Sequence, residues 1–77
     1  MEITHEILLK LGFTELFNRP SRYVYKGVTG RLLAERGTFH FHGFGPAIER
    51  LSDLKYMLMI TDYNYNATVV PYPNNYN

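Results

Sequence analysis

The sequence predicts a small α+β domain, an antiparallel sheet of three or four strands with two short helices packed on one face. Three features lead there. The chain opens with a Thr-capped run of leucines at helical spacing that stops at a glycine. Its middle alternates large and small side chains between glycine turns. An apolar stretch introduced by Ser52-Asp53 follows.

The first helix is expected over residues 4–11. Thr4 can accept an unpaired N–H of the first turn. Ile7, Leu8 and Leu11 share one face, and Gly12 stands where helices commonly end in a left-handed residue. Phe13 is expected to pack beneath it. Residues 15–21 read as a connection, because Asn18-Arg19-Pro20-Ser21 is turn chemistry. Three strands are expected next, over 22–26, 31–36 and 38–42, with turns at 27–30 and at Gly37. Tyr23 and Tyr25 then share one face, and Arg22, Val24 and Lys26 the other.

Gly43-Phe44-Gly45-Pro46 breaks the sheet, and Ile48 and Leu51 suit a short extended lead-in. Ser52 is the expected N-cap of a second helix over 53–61, with Asp53 favourable at its positive end. Tyr56 and Met57-Leu58-Met59-Ile60 make that helix apolar nearly all round. One sheet face cannot cover such a helix. Part of Tyr56, Met59 or Ile60 is therefore expected to be exposed or to meet a second subunit. Residues 67–70 are expected to add a last strand, stopped by Pro71. Residues 1–72 are expected to form a single domain, and 73–77 a flexible tail.

Composition narrows the function. At 77 residues core burial supplies only about 3–5 kcal/mol. There is no cysteine, which removes disulfides and thiolate metal sites and fits a reducing, cytoplasmic setting. The opening MEITHEILLKLGF lacks the basic start and long apolar core of a secretory signal. No window is apolar enough to span a bilayer. The net charge of +1 selects no partner. Lys10, Arg19, Arg22, Lys26, Arg31 and Arg36 do cluster in one stretch with only Glu15 and Glu35 among them.

His40 and His42, in TFHFHGFG, share a strand face. A same-face pair can chelate a metal, but a site needs three or four protein ligands. The others would have to be His5, Glu49 or Asp53, and no spacing requires it. The favoured reading puts Phe39 and Phe41 in the core, with the imidazoles facing water or capping a carbonyl. No spacing groups a nucleophile, a base and an orienting residue, so no catalysis and no cofactor are expected. Gly43-x-Gly45 lacks the third glycine and the lysine of a phosphate loop.

Two binding readings remain. Arg22, Lys26 and Arg31, with Tyr23 and Tyr25, are a basic and aromatic set suited to single-stranded nucleic acid. If the tyrosines are core, that face loses its stacking platform. Protein binding is preferred. Seven tyrosines are many for this length, and Tyr brings large area with few rotors. The methionines of the second helix tolerate varied partners. The expected contact residues are Tyr56, Met59, Tyr63, Tyr65 and Tyr72.

Two segments resemble short uncharacterised bacterial proteins encoded in prophages and other mobile elements. ITHEILLKLGF, residues 3–13, is similar to their opening ILxKxGF helix. IERLSDLKYMLMIT, residues 48–61, is similar to their closing hydrophobic helix, where Leu follows a Val/Leu-His pair. Here Ser52 replaces that His and Lys55-Tyr56 replace a Gln-Asn pair, so no role of those polar residues carries over. The resemblance covers roughly a third of the chain. It implies a small α+β fold, a bacterial or phage origin and an accessory role. Its sharpest form is a protein that binds and modulates a host protein, for example by inhibiting a defence nuclease. With acids not exceeding bases, it would not mimic DNA charge. The incompletely covered helix also makes a homodimer a candidate.

Overall fold

The computed structural model describes residues 2–69, with side chains to residue 66. In chain order they form α1 (His5–Leu11), β1 (Thr14–Glu15), β2 (Arg22–Tyr25), β3 (Val28–Leu33), β4 (Thr38–Phe41) and α2 (Leu51–Val69). The strands make one antiparallel sheet in the order β1-β2-β3-β4, so the α+β class stands.

The first helix follows its caps. Thr4 Oγ1 accepts from the Ile7 N–H at 3.2 Å, and Gly12 closes the other end at φ 107°. Phe13 then turns into the core, its N–H bonded to Leu8 O at 3.0 Å.

Several boundaries differ from expectation. A two-residue strand precedes and overlaps the start of the connection expected over 15–21, Thr14 and Glu15 pairing with Val24 and Tyr23. The turn expected over 27–30 is tighter. Lys26 and Gly27 both take positive φ, 46° and 83°, the geometry of a two-residue hairpin whose twist matches its strands. β3 therefore starts at Val28 and ends at Leu33, and residues 34–37 form the next turn. Gly30 lies inside β3, between Tyr23 and Phe41 in register. A Cβ there would collide with the Phe39 ring and lie 2.9 Å from His40 O.

Period-two alternation gives the sheet one apolar face. Tyr23, Tyr25, Leu32, Phe39 and Phe41 are buried on it, joined by Ile3, Leu8, Phe13, Leu54 and Leu58. Phe39 is central, with ring centroids 5.2 Å from Phe13, 5.0 Å from Phe41 and 6.3 Å from Tyr23. The edges are blunted. β1 is only two residues long, and Ile48 pairs with Phe39 across the outer edge of β4 through bonds of 2.9 and 2.6 Å.

The second helix is the largest correction. Its first bond, Leu54 N–H to Arg50 O at 3.1 Å, places the cap at Arg50 rather than Ser52. Leu51 is helical rather than extended, because its half-buried side chain packs on the core. The helix does not stop at Thr61 but continues to Val69, 19 residues in all and roughly 28 Å long. The strand expected over 67–70 is absent where described, since 67–69 are helical and residue 70 lies outside the described residues. So does the expected tail. Among the described residues, no helix is long and apolar enough to cross a membrane.

Gly30→Ala is expected to lower stability by about 1–3 kcal/mol, because the added methyl must displace Phe39. Leu54→Ala, at a fully buried position, is expected to cost about 2–5 kcal/mol. Urea unfolding followed by circular dichroism checks both.

Candidate functional site

A residue advances 100° around an α-helix, so Leu54 and Leu58 define the inward line of α2. Both are buried, and Leu51 and Met57 flank them half-buried. Directly opposite stand Tyr56, Met59, Ile60 and Tyr63. They are 59, 59, 38 and 75% exposed. Their spacing, i, i+3, i+4 and i+7, keeps them within about 100° of circumference. This is a continuous apolar seam on the side of α2 turned away from the core.

The distal half of α2 is held by polar contacts. Asp62 Oδ1 accepts from the Tyr25 hydroxyl at 2.6 Å and from Lys26 Nζ at 2.8 Å. Lys26 Nζ also lies 5.5 Å from the ring centroids of Tyr25 and Tyr65. The hydrogen bond from Lys26, then that from Tyr25, holds the Asp62 carboxyl below its ordinary pKa. The bond from Lys26 to Asp62 raises the Lys26 ammonium, and the bond from Tyr25 to Asp62 raises the Tyr25 phenol. One turn back, the Thr61 hydroxyl donates to Met57 O at 2.9 Å, which lets a β-branched polar residue sit within the helix.

Tyr65 thus belongs to this cluster and not to the seam. Beside it an open groove of about 430 Å³ runs between α2 and the sheet, lined among others by Val28, Phe41, Phe44, Met57, Ile60 and Tyr65. Ile60 belongs to both surfaces. Of the expected contact residues, the structure brings together Tyr56, Met59 and Tyr63, sets Tyr65 on the inward line beyond Leu58, against Lys26, and leaves Tyr72 outside the described residues. Tyr63 and Tyr65 lie on α2, beyond residue 61, where the helix was expected to end.

The basic trio is divided. Arg22 and Arg31 are register partners on the open sheet face, while Lys26 turns toward Asp62. Tyr23 and Tyr25 are buried, and the open face, which carries Arg22, Val24, Thr29, Arg31 and His40, has no Phe or Tyr ring from these strands. Tyr23 is raised in pKa chiefly by burial. Its hydroxyl bonds His5 Nδ1 at 2.6 Å, and Glu15 lies 3.9 Å from the same nitrogen.

The histidines of TFHFHGFG are engaged in structure. His40 Nε2–H donates to Phe44 O and Gly45 O at 3.0 and 2.9 Å, fixing the loop after β4. Arg22 Nη1 donates to His42 Nε2 at 3.3 Å. That leaves His42 Nδ1–H to donate to Thr29 Oγ1 at 2.7 Å. Phe39 and Phe41 are buried on the other face, as the alternation requires. Among the described residues no three His, Asp or Glu side chains cluster to hold a metal ion.

Sequence reasoning missed the length of the seam. A signal was present, because no glycine or proline occurs between Pro46 and Pro71, and Tyr63 repeats Tyr56 at seven residues. It also missed Phe17, 96% exposed at the β1–β2 loop. No protein-family model matches this chain, and neither the curated proteins nor the solved structures contain a match.

The Asp62 cluster sets a pH dependence. A carboxyl lowered in the folded state stabilises above its unfolded value, 3.8, and that contribution is lost as pH falls through the folded value below it. Urea unfolding midpoints between pH 6 and pH 2 are expected to fall less steeply in Asp62→Asn than in the wild type. The variant is also expected to be less stable at neutral pH.

Proposed function

We propose that this chain is a non-catalytic protein-binding module whose contact surface is the outer side of α2. The seam of Tyr56, Met59, Ile60 and Tyr63 carries this reading. Four large apolar side chains lie in line, exposed, on a helix whose opposite side already supplies the core. Tyrosine and methionine are the side chains that favour such contacts, one by area with few rotors and the other by adaptable shape. The groove beside Phe44 extends the apolar surface around the flank of the helix. The finer reading, an accessory protein of phage or mobile elements that modulates a host protein such as a defence nuclease, is supported by the resemblance of residues 3–13 and 48–61. Nucleic-acid binding finds less support. The tyrosines that would stack bases are buried, and Lys26 is paired with Asp62.

A tagged pull-down from bacterial lysate, with and without nuclease, tests the reading. A stoichiometric protein is expected to survive nuclease and to be reduced at least tenfold by Met59→Glu, which puts a charge in the seam. Capture that vanishes with nuclease, and is lost in Arg22→Ala/Arg31→Ala instead, would transfer the function to the sheet face.

A further inference from the structure

The seam reads the same in both directions. Tyr56, Met59, Ile60 and Tyr63 form an aromatic–aliphatic–aliphatic–aromatic series, symmetric about the point between residues 59 and 60. A heterologous groove places no such demand on a helix. A two-fold interface does, because each patch must complement itself, so that residue i meets j and j meets i. We propose that the seam pairs with the seam of a second copy, the two α2 helices antiparallel about an axis between Met59 and Ile60. This pairing presupposes that the outer side of α2 is a docking surface, and names its occupant.

The geometry follows from the helical wheel. Antiparallel pairing about that axis sets Tyr56 of each chain against Tyr63 of the other. Met59 and Ile60 of both chains fill the centre, one from each flank of the seam. Lys55 of each chain falls on the flank that carries Asp62 of the other, so like charges do not oppose across the pair. A net charge of +1 per chain adds little repulsion between copies. Side chains of this size and exposure offer roughly 400–500 Å² per chain, so the pair would bury on the order of 1,000 Å² in total, the lower edge of specific interfaces. The expected dimer is accordingly one of micromolar affinity. The groove lined by Phe44 and Met57 opens off a flank of α2 and stays accessible in the pair.

Sedimentation equilibrium of the full chain from about 5 to 500 µM is the test. A monomer–dimer equilibrium is expected within that range, weakened about 30-fold or more by Met59→Glu, since each chain brings a charge into the centre. The chain has no cysteine, so single introduced thiols report register independently of affinity. Met59→Cys is expected to form a disulfide with itself. Tyr56→Cys is expected to bond Tyr63→Cys in a mixture, and only slowly to bond itself, because two copies of residue 56 lie roughly 10 Å apart along the axis. A wild-type chain that stays monomeric to 500 µM would overturn the pairing, while leaving the lysate result for Met59→Glu to stand or fall separately. A dimer that Met59→Glu does not weaken would overturn it too. Tyr56→Cys bonding itself as fast as it bonds Tyr63→Cys would overturn the antiparallel register.

Discussion

The ring of Phe39 occupies the space that a side chain at position 30 would fill, and the packing of this domain depends on that substitution of ring for Cβ. Gly30 lies between Tyr23 and Phe41 in register, on the face where every neighbour is large. Its missing Cβ lets Phe39 lie down on β3 and meet Phe13, Tyr23 and Phe41 at once. Phe13 ties in the linker from α1, Tyr23 the second strand, and Ile48, bonded to the Phe39 backbone, the approach to α2. A four-stranded sheet with strands of two to six residues has little to fix its register. Here the register is fixed because a one-residue slip would bring a side chain under that ring and turn the aromatic face to water.

A one-sided core has a second consequence. With the apolar core on one face, most of the other face and the outer side of α2 are left to solvent, and they differ in kind. The sheet face is polar, and its groups hold local structure. His40 fixes the loop after β4, and His42 joins Arg22 to Thr29. Elsewhere Asp62 anchors the helix to the β2–β3 hairpin, and His5 meets Tyr23 at the end of α1. His5, Arg22, Lys26, His40, His42 and Asp62 are thus committed to holding one part of the chain to another. Among the described residues, the seam gathers four of the exposed large apolar side chains on one element.

Short-range rules carried the first half of the chain well. The Thr4 cap, the Gly12 stop, the inward turn of Phe13 and the alternation of Phe39 and Phe41 against His40 all follow from a few neighbouring residues. What escaped was set over longer range. β1 exists because Thr14 and Glu15 find partners in β2, and a single β-branched residue beside a glutamate is too short a run to signal a strand. Gly30 reads as a turn residue until Phe39, nine positions on, is seen to need its space. The second helix passes through Thr61, Asn64 and Asn66, weak helix formers individually. Asp62 counters that weakness by bonding Tyr25 and Lys26, more than thirty residues upstream. The candidate site was legible in kind, since an all-round apolar helix must expose something. It was not legible in shape, because ending the helix at residue 61 severs Tyr63 from Tyr56.

The fold does not require that seam. Leu54 and Leu58 supply the buried side of α2, with Leu51 and Met57 beside them, and Asp62 fastens its far half. Polar side chains at 56, 59, 60 and 63 would leave each of those contacts in place and would make the monomer more soluble. Exposed tyrosine, methionine and isoleucine give a lone small domain little stability while raising its tendency to stick. Their cost becomes intelligible when the surface is covered in use. For a chain of 77 residues with no disulfide, covering it also adds to folding stability, since whatever binds only the folded state favours that state. On the proposed pairing, association and stability draw on the same four side chains, and α2 would serve the core with one side and assembly with the other.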